Sequence, residues 1–124
     1  MTYRILIADD HAVVRDGLKR ILLQEGFEIS AEACDGREAV DMACQSHPDV
    51  ALFDIAMPLL NGIDAAREIR VQCPRTRTIL LTMHKETNYI IEAFRAGVRV
   101  TCLRRRRRRI WSMPFIAPLV ERSI

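Results

Sequence analysis

The chain has 124 residues, enough for one domain with a sizeable core, and 49% of it is apolar, the balance of a soluble globular protein. No apolar stretch approaches the roughly 20 residues of a membrane-spanning helix, and Asp9, Asp10 and Asp16 come too early for a signal peptide, so a cytoplasmic setting is expected. The net charge of +3 is the difference between an acidic body and a basic end: residues 104–124 hold seven arginines and one acid, Glu121, for +6, and residues 1–103 carry −3.

The first hundred residues alternate strand and helix. Ile5-Leu6-Ile7-Ala8 is a continuous apolar run, the pattern of a strand buried on both faces. Val14, Leu18, Ile21 and Leu22 then recur at helical spacing, and Gly26 ends that helix. Phe27 to Ala33 reads as strand two. Asp35 caps the next helix, with Glu38 three residues on in a capping-box-like pattern, and Ala39, Val40, Ala43 and Cys44 form its apolar face. Pro48 punctuates before strand three, Val50-Ala51-Leu52-Phe53.

Met57 to Gly62 is a loop, and Asn61 is placed to cap helix three, whose Ile63, Ala66 and Ile69 share a face. Pro74 separates that helix from strand four, Ile79-Leu80-Leu81. Thr87 or Asn88 caps helix four, with Ile90, Ile91, Ala93 and Phe94 for burial and Gly97 as its C′ residue; Val98 to Leu103 makes strand five. Strict β/α alternation implies a parallel sheet covered on both faces with right-handed crossovers. A final helix should follow strand five beside helix one, but Pro114 and Pro118 cannot both sit inside one regular helix, so it is expected to be missing or irregular.

Three strand ends carry the chemistry: Asp9-Asp10 after strand one, Asp54 after strand three, Thr82 after strand four. Open α/β sheets gather their chemistry at the carboxyl ends of the strands. Adjacent acids repel unless solvent or a cation screens them, so Asp9-Asp10 reads either as a divalent-cation site or as a helix cap beside a solvated acid. Asp54 alone is a loop cap; beside Asp9 and Asp10 it is a metal ligand or nucleophile. Such a cluster suits a hard divalent cation and a phosphoryl group. Cys34, Cys44, Cys73 and Cys102 are widely spaced and contain no C-x-x-C pair, so four reduced, mostly packed thiols are expected rather than a zinc site or disulfide framework.

The ordered set Ile5-Leu6-Ile7-Ala8-Asp9-Asp10-His11, Val13-Val14-Arg15-Asp16-Gly17-Leu18, Asp49 to Pro58, Asn61-Gly62, Leu80-Leu81-Thr82-Met83-His84 and Ala93-Phe94-Arg95-Ala96-Gly97 resembles the receiver domain of two-component response regulators, of the NarL/LuxR type. The resemblance covers residues 3 to about 104. It implies a flavodoxin-like, doubly wound five-stranded parallel sheet in the order 2-1-3-4-5. It also implies that Asp54 accepts a phosphoryl group from a sensor histidine kinase. Asp9, Asp10, Asp54 and the carbonyl oxygen of Ala56 would hold Mg²⁺ or Mn²⁺, and Thr82 would contact a phosphoryl oxygen. Ala56 and His84 would modulate access of a hydrolytic water. The chain is not expected to be an enzyme beyond its own phosphotransfer and dephosphorylation.

The pattern departs from the family in strand five. The family's phosphoryl-contacting lysine is Arg104 here, which keeps the charge but not the compact ammonium. The aromatic position matches Thr101. The receiver is therefore assigned to residues 1–103, and residues 104–124 form a basic, Pro-containing atypical tail. Two alternatives follow: a degenerate, receiver-like interaction module not regulated by phosphorylation, motivated by Arg104 and Thr101, or binding of nucleic acid or another polyanion by Arg104 to Arg109. The change of composition and the missing output domain are also what a truncated or out-of-frame C-terminus produces, and that reading is preferred. If Trp111, Phe115, Ile116, Leu119 and Val120 leave the sheet face open, the exposed apolar surface favours homodimerisation or aggregation. An independent phosphatase is disfavoured, because Ala56 stands where a second acid would be needed.

Overall fold

A computed structural model describes residues 3–54, 62–82 and 99–102. Its elements run β1 (Arg4–Ala8), α1 (Ala12–Gln24), β2 (Glu28–Ala33), α2 (Gly36–Ser46), β3 (Val50–Asp54), α3 (Gly62–Gln72), β4 (Arg77–Thr82) and β5 (Arg99–Cys102). The five strands form one parallel sheet in the order β2-β1-β3-β4-β5. The alternation predicted a parallel sheet, and this order is the doubly wound, flavodoxin-like one that the family resemblance implied. The expected helix four, the irregular final helix, the Asn61 cap and the atypical tail lie outside the described residues.

Period-two alternation within unbroken apolar runs divides the core into two layers. Ile5, Ile7, Val50, Leu52 and Ile79 cluster on one face with Leu18 and Leu22 of α1 and with Phe27. Leu6, Ala8, Ala51, Phe53 and Leu80 cluster on the other with Ala39, Val40 and Ala43 of α2 and Ile63, Ala66 and Ile69 of α3. The apolar faces read from the two later helices are thus the buried ones; Cys44 is only half-buried at the margin. Each fully buried aliphatic side chain contributes roughly 1.5–3 kcal/mol through its removal from water.

Strand β2 breaks the simple alternation. Ile5 pairs with Ile29 and Leu6 with Ala31, so Ser30 is an extra residue in the ladder. Ile29 packs in the α1 layer, while Ala31 and Ala33 pack in the α2/α3 layer. A bulge is what allows residues two apart to face opposite sides.

The helix ends follow local chemistry. At the end of α1, Phe27 N–H donates to the Leu22 carbonyl at 3.0 Å and Gly26 N–H to the Leu23 carbonyl at 3.1 Å. Gly26 sits at φ +88, completing a Schellman motif whose Phe27 folds back into the core beside Leu22. Phe27 therefore belongs to the helix stop, and β2 begins one residue later than the apolar pattern implies. At the start of α2, Asp35 Oδ1 accepts the Glu38 N–H at 2.7 Å, the predicted cap. That helix ends on His47 in the left-handed region, φ 48 and ψ 60, ahead of Pro48.

Candidate phosphoryl and metal site

The parallel register brings the strand ends of the sequence motifs to one edge of the sheet. Ala8 pairs with Phe53, so Asp9 and Asp54 each stand one step further along adjacent strands. Asp54 in turn pairs with Leu81, and Thr82 follows and pairs with Cys102. Neighbouring strands lie about 4.8 Å apart. Three distant stretches of sequence therefore converge on one crevice rim, at the carboxyl ends of β1, β3 and β4. Ala56, His84 and Arg104 lie outside the described residues.

The loop after β1 is held in a defined shape. Asp9 N–H continues the β1–β2 ladder by donating to the Ala33 carbonyl at 3.1 Å. The Asp9 carboxylate is buried, and its Oδ1 accepts the His11 N–H at 2.8 Å, a turn closed by the aspartate's own side chain. Asp10 is exposed. His11 Nδ1 lies 3.2 Å from Asp9 Oδ1 and 2.9 Å from Asp10 Oδ1, so the imidazole bridges the two acids. Arg15, one turn into α1, donates from a guanidinium nitrogen to the Asp9 carbonyl at 2.6 Å. Its Nε is 3.8 Å from Glu32 Oε1 on β2, and Lys19 Nζ is 3.3 Å from the other Glu32 oxygen.

His11 and Arg15 were visible in the sequence only as parts of a motif. Their contacts to the acids depend on the loop's turn, and Glu32 reaches Arg15 only because β2 pairs with β1. A positive residue one turn into the helix after paired acids is the signal that could have found Arg15.

Donor atoms of Asp9, Asp10 and His11 lie within 4.8 Å of one another. Two carboxylates at a strand end, one buried and one solvent-facing, fit a small hard cation that keeps several waters. A second group, Cys34, Asp35 and Glu38, is equally close-set. Its chemistry is different. The hydrogen bond from Cys34 Sγ to Glu38, at 3.2 Å, pushes the thiol pKa up and keeps it protonated, whereas a metal ligand must be a thiolate. Asp35 is already engaged as the α2 cap.

Comparison with known proteins agrees with the fold. The family model described as the response regulator receiver domain matches residues 5–104. The chemotaxis protein CheY of Thermotoga maritima is 40% identical over 99 residues, covering 80% of this chain and 82% of that protein. The transcriptional regulatory protein DegU of Brevibacillus brevis is 38% identical over 95 residues, covering 76% of this chain but 40% of that protein. The chain thus spans less than half the length of that regulator. Among solved structures, the signal receiver domain of the putative response regulator NarL from Mycobacterium tuberculosis superposes with a TM-score of 0.83 at 28% identity, covering 98% of this chain and 96% of that one. Sheet order, strand-end acids and the extent of the match lead to one conclusion: the chain belongs to the response regulator receiver domain family.

Proposed function

We propose that the chain is a phosphoaccepting receiver, in which Asp54 takes a phosphoryl group from a phosphohistidine of a sensor kinase. The observation that carries this reading is the register: Asp9 and Asp54 end adjacent strands, with Thr82 one strand further, in a chain of the receiver family. An Asp54 carboxylate oxygen attacks phosphorus in line, the N–P bond breaks, and the histidine leaves with the electron pair and takes up a proton. Little covalent work falls to the protein; positioning and charge stabilisation carry the rate.

Asp9 and Asp10, with Asp54 and the Ala56 carbonyl oxygen, would hold Mg²⁺ or Mn²⁺. When bound, the cation supplies neutralisation of charge on the transferring phosphoryl oxygens. Asp9 is presented by its buried turn, and Arg15 fixes that turn from the carbonyl side. The His11 imidazole lies between the same two carboxylates that would hold the cation. Thr82 is assigned to donate a hydrogen bond to a phosphoryl oxygen, and Arg104 to supply the positive charge at the end of β5. Ala56 and His84 are assigned to set how readily water reaches the phosphorylated aspartate.

The test is intact-protein mass after incubation with acetyl phosphate and Mg²⁺, beside an Asp54→Asn control. A Mg²⁺-dependent phosphate adduct in the wild type, absent from the control, is expected. An adduct that persists in Asp54→Asn, or none in a wild-type protein shown to be folded and to receive nothing from phosphorylated histidine kinases, overturns the reading.

A further inference from the structure

The edge of the sheet opposite the acids carries a feature that phosphotransfer does not use. Cys44 lies in the last turn of α2, and Cys73 is the first residue after α3. They are 29 residues apart in sequence, yet their sulfur atoms are 3.3 Å apart, close enough to share a thiol proton. Cys73 is buried, and its N–H is tied to the Ile69 carbonyl at 2.6 Å, which fixes where the side chain starts. Cys44 is half-buried at the margin of the α2/α3 layer, and its sulfur also lies 3.2 Å from Gln72 Oε1. One thiol is therefore reachable from solvent and the other sits behind it. Both are free.

We propose that Cys44 and Cys73 are a dithiol modification site, which a low-molecular-weight disulfide converts to an intramolecular disulfide joining α2 to α3. Cys44 reacts first because it is the accessible member. Its thiol loses a proton to solvent, and the thiolate attacks one sulfur of the small disulfide. A Cys44 mixed disulfide forms, the original S–S bond breaks, and one small thiolate leaves and is protonated. Cys73 then loses its proton and attacks Cys44 Sγ. The protein disulfide forms, the mixed disulfide breaks, and the second small thiol is released. The two cysteines are oxidised by two electrons together, and the small disulfide is reduced by the same two.

Geometry favours the second step over further external chemistry. The sulfurs need to approach by only about 1.3 Å to reach bonding distance, near 2.05 Å. An attacking group held that close acts at an effective concentration far above that of any free thiol. Desolvation, and then the hydrogen bond with Cys44, raises the Cys73 pKa to about 11, so Cys73 is a neutral thiol near pH 7 and is not the group that opens the sequence. In a reducing compartment such a pair is expected to cycle rather than to stay bridged.

The experiment uses the full chain, incubated with oxidised glutathione, quenched with N-ethylmaleimide and digested with trypsin without reduction. Cleavage after Arg37, Arg67, Arg70 and Arg75 places Cys44 in residues 38–67 and Cys73 in residues 71–75. The expected product is those two peptides joined by a disulfide. Recovery of both as separate maleimide or glutathione adducts, under conditions that fully modify Cys34, overturns the proposal. So does a bridge from either one to Cys34 or Cys102, or to a second chain. In Cys73→Ser the reaction is expected to stop with glutathione retained on Cys44; an unmodified Cys44 in that variant counts equally against the proposal. Should the variant fail to fold, the wild-type peptide map decides alone. The outcome does not depend on whether Asp54 is phosphorylated.

Discussion

The two edges of the sheet use aspartate in opposite ways. At the amino-terminal edge, Asp49 Oδ2 accepts the Arg4 N–H at 2.8 Å, and Asp49 N–H donates to the Arg4 carbonyl, also at 2.8 Å. The Arg4 guanidinium donates to the Ser46 carbonyl, Arg77 N–H donates to the Asp49 carbonyl, and Thr76 Oγ1 donates to the Pro48 carbonyl. These groups tie β1, α2, β3 and β4 together, and each contact neutralises a backbone group that burial would otherwise leave without a partner. At the carboxyl edge, Asp9 and Asp10 bring like charges together beside the strand that ends on Asp54, and a bridging imidazole and a guanidinium on a carbonyl are among the contacts that hold the loop. One edge spends its polar groups on stability. The other gathers two carboxylates in one loop, the arrangement on which the proposed cation site rests.

Two substitutions break this contrast from opposite sides. Asp10→Asn at the carboxyl edge is expected to weaken Mg²⁺ or Mn²⁺ binding at least tenfold, because it removes one of the carboxylates proposed to hold the cation. Measured in chelator, the same variant is expected to be as stable as the wild type or more so, by up to about 1 kcal/mol, through relief of like-charge repulsion. Manganese-induced relaxation of the loop amides and a urea titration report the two quantities separately. An Asp10→Asn protein that binds manganese as the wild type does removes the acidic pair from the metal site. Asp49→Ala at the amino edge is expected to cost about 2 kcal/mol by orphaning the Arg4 N–H, while leaving labelling by acetyl phosphate unchanged.

A smaller and pH-specific effect separates the buried thiol at the amino edge from the exposed one at the start of α2. The Cys73 pKa stands near 11 in the folded chain, above its ordinary value of 9.0, chiefly through desolvation. The unfolded chain therefore ionises first as pH rises. The stability that the buried neutral thiol contributes is complete below pH 9 and is lost progressively between about 9 and 11. Wild type is expected to lose stability across that window more steeply than Cys73→Ser, read as the urea midpoint at each pH. Parallel curves would mean that Cys73 ionises as freely in the folded chain as in the unfolded one.

Most of the fold was legible because local rules and tertiary demands coincide in it. Apolar runs at Ile5 to Ala8 and Val50 to Phe53 report burial on both faces, and the helical spacing of Ile63, Ala66 and Ile69 reports one packed side. Asp35 and Gly26 announced a helix start and stop by the chemistry their backbones require. The strand-end acids were legible for a topological reason: once β and α alternate, strand carboxyl ends share an edge. What escaped is non-local or depends on one backbone choice. The Ser30 bulge leaves no mark in Glu28 to Ala33, since Ile29, Ala31 and Ala33 alternate with Glu28, Ser30 and Glu32 just as in an unbroken strand. The left-handed His47 is a residue without the usual glycine or asparagine signal. The Cys44–Cys73 pair arises from the packing of two helix ends, and spacing along the chain carries no information about it.

The smallest expected effect tests how far a local rule acts on its own. Gly26 has open space where a Cβ would stand, with no atom within 4 Å, so Gly26→Ala creates no clash. Any cost must come from holding alanine at φ +88. That conformation is disfavoured for a residue with a Cβ by roughly 1 kcal/mol, partly offset by the lower entropy of the unfolded alanine chain. The urea midpoint should fall by that amount with the slope of the transition unchanged, because the surface buried on folding is the same. Gly26→Asn should lose less than Gly26→Ala, since asparagine tolerates the left-handed region better than alanine does. A loss well above 1 kcal/mol in the alanine variant would mean that the stop of α1 unwinds. Phe27 would then leave the layer it shares with Leu22, Ile5 and Ile7, and the cap would be coupled to the core through that one ring. A loss near 1 kcal/mol means the Schellman hydrogen bonds hold, and the cap and the core contribute independently.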